Sequence, residues 1–93
     1  MTEEDIQKAE KVGTGYAEGM FKAFTKPGTQ GNKFTWEGFP DMVAAIARAS
    51  LFEMFSNEEW ASLDREYKRD LEDITGKAAI KRANELIVPH TGT

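Results

Sequence analysis

The chain has 93 residues, of which 40% are hydrophobic and 30% charged, and a formal net charge of −4. That is the balance of a single globular domain, long enough to bury only roughly 60–65% of its unfolded surface. It has no cysteine, which excludes disulfides, thiolate catalysis and the common zinc-finger arrangements, and its interspersed acidic excess argues against a nucleic-acid-binding face.

The first predicted element is a helix from Thr2 to about Phe24. Thr2 can cap it, and Glu3, Glu4 and Asp5 then lie at its positive end, where carboxylates are favoured. Ile6, Ala9, Gly13, Tyr16, Ala17, Met20 and Phe24 recur at three- and four-residue steps and form one apolar stripe. Gln7, Lys11, Thr14, Glu18 and Lys22 take the other side. Gly13, Gly15 and Gly19 each weaken a helix by about 1 kcal/mol relative to Ala. The three residues Gly15, Gly19 and Ala23 fall four apart and make a ridge without side chains. Such a ridge admits a second helix at close range. Two partners fit it: the alanine-rich third segment of the same chain (Ala45, Ala49), or another copy of the chain in self-association.

Residues 25–38 break every periodicity and predict one long glycine-rich loop. Pro27-Gly28 is a turn signal and Gly31-Asn32 a second flexible point, while Phe34 and Trp36 alternate with Lys33 and Thr35 as in a short extended stretch. A connection of about 14 residues is long for a compact domain, and loops of that length often carry function. Lys26, Asn32, Lys33, Phe34 and Trp36, with Tyr16 from the first helix, make the candidate binding set. Lysines and glycine-flanked backbone N–H groups suit a phosphate, and aromatic faces suit a base. The same residues suit a protein-binding loop, since Trp is a favoured interface anchor. A third reading has Phe34 and Trp36 simply plugging the core.

A helix is predicted from Pro40 to Phe55, with proline in the first turn where its missing N–H costs nothing. It is apolar nearly all round and is expected to be the central, buried helix. Ser56-Asn57-Glu58-Glu59 then reads as a capping box. The stripe Trp60, Leu63, Tyr67, Leu71 and Ile74 follows it, backed by a solvated face of mixed charge. Thr75-Gly76 is expected to end or bend this helix. A further helical stretch should run from Lys77 to Val88 and stop at Pro89, leaving residues 89–93 as a tail.

Taken together, these elements predict an all-α fold: a compact bundle of three to four helices in a single domain spanning 1–93. The expected core is Ile6, Met20, Phe24, Val43, Ile46, Phe52, Phe55, Trp60, Leu63, Tyr67, Leu71, Ile80 and Ile87. No segment approaches the 18 apolar residues of a membrane span. The acidic start does not fit a signal peptide, so a cytoplasmic location is expected.

The chemistry-bearing residues point away from catalysis. His90 is the only histidine and sits in the terminal tail, without the orienting partner a general base needs. Glu66, Asp70 and Asp73 share a helical flank but are interleaved with Arg65, Lys68 and Arg69, so no metal site and no cofactor is expected. The glycines of the first helix lie within a helical stripe rather than between a strand and a helix, which argues against a dinucleotide fingerprint. The sequence therefore predicts a non-enzymatic binding or regulatory module acting through protein–protein contacts and self-association. One alternative is a small-ligand binder, taking a nucleotide or other phosphate at the Lys26–Trp36 loop. Another is a small accessory inhibitor of the phage or mobile-element type.

Overall fold

The computed structural model describes residues 1–25 and 36–91, the side chains of the last two of these excepted. The fold is all-α. Helix α1 spans Glu3–Phe24, α2 Phe39–Ser50, α3 Asn57–Ser62 and α4 Arg65–Thr91; single 3₁₀ turns cover Trp36–Gly38 and Leu51–Met54.

Local chemistry sets most of the helix starts. The Asp5 backbone N–H donates to the Thr2 hydroxyl at 3.2 Å, capping α1 above its three acidic first-turn residues. Pro40 occupies the first turn of α2. Ser56 and Glu59 exchange side-chain and backbone hydrogen bonds at 3.1 and 3.3 Å, a complete capping box that opens α3. The helix it opens is short, however. Leu63 turns to extended backbone, and the Asp64 side chain accepts the Glu66 N–H at 2.9 Å, which starts α4 afresh. The stripe from Trp60 to Ile74 is therefore divided between two helices. Conversely, α4 runs unbroken through Thr75-Gly76 and past Pro89. The Thr75 hydroxyl donates across to the Ala9 carbonyl of α1 at 3.0 Å instead of competing for its own helix. Pro89 falls in the final turn, where the N–H it lacks removes one bond and the helix still closes around it.

The main pair is α1 and α4, which run parallel, as their contacts climb together. The Tyr67 hydroxyl accepts the Thr2 N–H at 3.3 Å and donates to the Asp5 carboxylate. Thr75 meets Ala9, and Arg82 meets Glu18 at 3.6 Å. Gly13 makes this approach possible. A β-carbon there would overlap the Thr75 carbonyl oxygen and stand 2.8 Å from the Ala79 nitrogen. Helix α2 returns in the opposite sense: Phe39 packs edge-on against Phe24 at 6.0 Å between centroids, and after the Leu51–Met54 turn Phe55 lies under the Lys8 ammonium, 4.9 Å from the ring centre. The result is an up–down–up bundle measuring 45 × 22 × 17 Å.

The core combines Ala9, Val12 and Ala17 of α1, Phe39, Val43, Ala44 and Ala47 of α2, Leu51 and Phe55 after it, and Leu71, Ala79, Ala83 and Ile87 of α4. Each large member, fully buried, is worth about 1.5–3 kcal/mol of transfer free energy. Helix α2 is not the buried centre that its composition suggests. Ala45, Ile46 and Ala49 face outward and Phe52 is 48% exposed, so Ile46 and Phe52 leave the expected core. The reason is that alanine suits either environment: Ala44 and Ala47 pack inward while Ala45 and Ala49 do not, and the composition alone does not separate the two faces. Met20, Phe24, Trp60, Leu63, Tyr67 and Ile80 pack against the core while half-buried.

Candidate functional site

Among the described residues, two grooves run along the bundle. The first is apolar, about 440 Å³, and lies between α1 and the Leu51–Met54 turn; its lining is Lys11, Val12, Gly15, Tyr16, Gly19, Met20 and Met54. The second is polar, about 460 Å³, and lies between α1 and α4, with Lys77, Lys81 and Arg82 facing Glu10 and Glu85. In the polar groove the charges compensate locally, since Arg82 pairs with Glu85 at 3.4 Å and with Glu18 at 3.6 Å.

The floor of the apolar groove is Gly15 and Gly19, one helical turn apart. A β-carbon at either would meet nothing within 4 Å. Among the described residues nothing packs on the ridge, and Ala45 and Ala49, its expected internal partners, are exposed elsewhere. Gly13 is the glycine that the fold itself consumes. Gly15 and Gly19 each cost the helix about 1 kcal/mol relative to Ala, and none of the described residues occupies the space they leave. The walls are Tyr16 and Met20, both half-buried, and Met54, 38% exposed. Water over such a surface is unfavourable, because apolar area left wet forfeits the free energy of burial.

Of the nine site residues expected from sequence, Gly15, Gly19 and Tyr16 come together here. Ala23 is exposed on the same helix but does not line the groove. Lys26, Asn32, Lys33 and Phe34 lie outside the described residues. Trp36 begins a 3₁₀ turn, not an extended stretch, and packs half-buried against the core, with Phe21 at 5.4 Å and Phe39 at 5.1 Å between ring centroids. Lys11 and Met54 were not expected at a site. Lys11 reads as part of the polar face, and Met54 arrives from a turn far downstream of the glycines with no local signal of that meeting. Glu66, Asp70 and Asp73 are exposed along α4. No helix among the described residues is long and apolar enough to cross a membrane.

Compared with protein-family models, with curated proteins and with solved structures, the chain matches none.

Proposed function

We propose that the protein is a binding module that acts through protein–protein contacts, and that its contact face is the apolar groove of α1. The observation that carries this reading is the pair Gly15 and Gly19. They form a floor on which none of the described residues sits, beneath walls of Tyr16, Met20 and Met54. An apolar groove of this kind suits the side chains of a helix from another polypeptide. Met and aromatic residues are the side chains enriched at such contacts.

The test is site-specific photocrosslinking in living cells, with a benzophenone amino acid replacing Met54. Defined protein adducts are expected. Gly19→Glu, which places a charge on the groove floor, is expected to abolish them, whereas Lys81→Glu in the polar groove should leave them intact. Adducts that survive Gly19→Glu, or no adduct at all, would remove the groove as the contact face.

A further inference from the structure

We infer that the outward face of α2 binds the same face of a second copy, so that two chains pair antiparallel along α2 with Arg48 of each set against Asp41 of the other. This contact is separate from the α1 groove, and its failure would leave that reading standing.

Helix α2 turns Val43, Ala44 and Ala47 into the core and Ala45, Ile46 and Ala49 to the other side, where they are exposed among the described residues. The outward residues follow the steps of one helical stripe, which Phe52 prolongs past the end of the helix. Ile46 is 39% and Phe52 48% exposed. An apolar helix face left in water forfeits the free energy of burial.

Arg48 supplies a second, independent observation. Its guanidinium lies against α4 in the space that Gly76 leaves, since a β-carbon there would stand 2.4 Å from Nε and Nη2. Gly76 is buried within the longest helix, where glycine costs about 1 kcal/mol relative to Ala. Arg48 is thereby seated beside the apolar stripe, yet among the described residues no carboxylate pairs with it. A cation held beside an apolar stripe suits an anion on whatever covers that stripe.

The chain carries such an anion at the matching place. Asp41 is exposed and likewise has no ion pair among the described residues. It precedes Arg48 by two helical turns, so it stands on the same flank of α2 but roughly 10 Å away, too far to pair within one chain. In a two-fold antiparallel pair the same flanks of the two helices meet, and each contact is made twice. An axis beside Ala45 therefore sets Arg48 against Asp41 at both ends of the contact. It also places small side chains where the backbones approach, and lays Phe52 over Gly38, which is exposed with open space above it among the described residues. The other nearby acids, Glu37 and Glu53, lie beyond the two ends of α2.

The experiment is sedimentation equilibrium of the purified full chain from micromolar to millimolar concentration, with Asp41→Arg, Arg48→Asp and their equimolar mixture beside the wild type. The wild type is expected to pass from monomer to dimer, weakly, because roughly 18 Å of helix is a short contact. Asp41→Arg alone sets arginine against arginine, and Arg48→Asp alone sets acid against acid. Each should raise the dissociation constant at least about tenfold, with helical circular dichroism unchanged. Mixed, the two variants restore both pairs in a heterodimer, whose dissociation constant should return to within about threefold of the wild type. Ile46→Glu, at an exposed position, should weaken the dimer as well. A wild type that stays monomeric at millimolar concentration overturns the proposal. So does a dimer indifferent to Ile46→Glu and to both charge reversals, or a mixture that associates no better than its components.

Discussion

Gly13, Gly15 and Gly19 are chemically identical and lie within seven residues on one helix, yet the fold treats them differently. At Gly13 a methyl group would collide with backbone, the Thr75 carbonyl oxygen and the Ala79 amide, neither of which can swing aside. Gly13→Ala is therefore expected to push α1 and α4 apart and destabilise the protein by about 1–3 kcal/mol, as overpacking does. At Gly15 and Gly19 the same methyl meets none of the described residues, so alanine brings only its better helix propensity. Each substitution should stabilise by up to about 1 kcal/mol. Urea denaturation dilute enough to keep the chain as a single copy checks all three. Equal effects at Gly13 and Gly15 would mean that α4 does not approach α1 as described. Gly76 adds a fourth environment, since a β-carbon there would stand 2.6 Å from the guanidinium carbon of Arg48. That side chain can move where backbone cannot.

At the scale of elements, the starts and stops that depend on neighbouring residues are the legible ones. Thr2, Pro40 and the Ser56–Glu59 box act over three or four residues, and each performs as its spacing predicts. The division between α3 and α4 is equally local but is masked. The apolar stripe passes through Leu63 without interruption, while the Asp64 cap two residues before Glu66 carries the signal of a new start. If that cap sets the boundary, Asp64→Ala should cost about 1 kcal/mol and loosen the first turn of α4, seen as faster amide exchange at Glu66 and Tyr67. Unchanged exchange there would assign the break to Leu63 alone. What periodicity does not disclose is which side of an alanine-rich helix faces inward, and the same ambiguity hides the groove. Spacing identifies Gly15 and Gly19 as a ridge, but whether α4, α2 or another molecule covers it depends on where those helices lie, and the Met54 wall comes from a turn far along the chain.

For the whole molecule, the decisive feature is a parallel pair of long helices whose ends meet across more than sixty residues of sequence. A parallel pair cannot be closed by a short turn, so α2 must run back between the ends before α4 can take its place. That makes the central contacts non-local and their formation dependent on prior loop closure. The pair is fastened along its length by Thr75 on Ala9 and Arg82 on Glu18. At the start of α1, Tyr67 accepts the Thr2 N–H and donates to the Asp5 carboxylate. This last fastening is part-buried, and it holds the first turn of a helix whose outer residues are otherwise exposed. Tyr67→Phe keeps the ring and removes only the hydroxyl, so the half-buried packing survives while both bonds are lost. A loss of about 1 kcal/mol is expected, near the usual net value of a hydrogen bond and well short of a fully buried charged one. The change should concentrate at one end of the molecule, with amide exchange accelerating over the first turns of α1 while the Ala9–Thr75 region stays protected. Uniform acceleration along α1 would show instead that the two helices open as one unit, and that the Tyr67 clasp governs the whole pair rather than its N-terminal end.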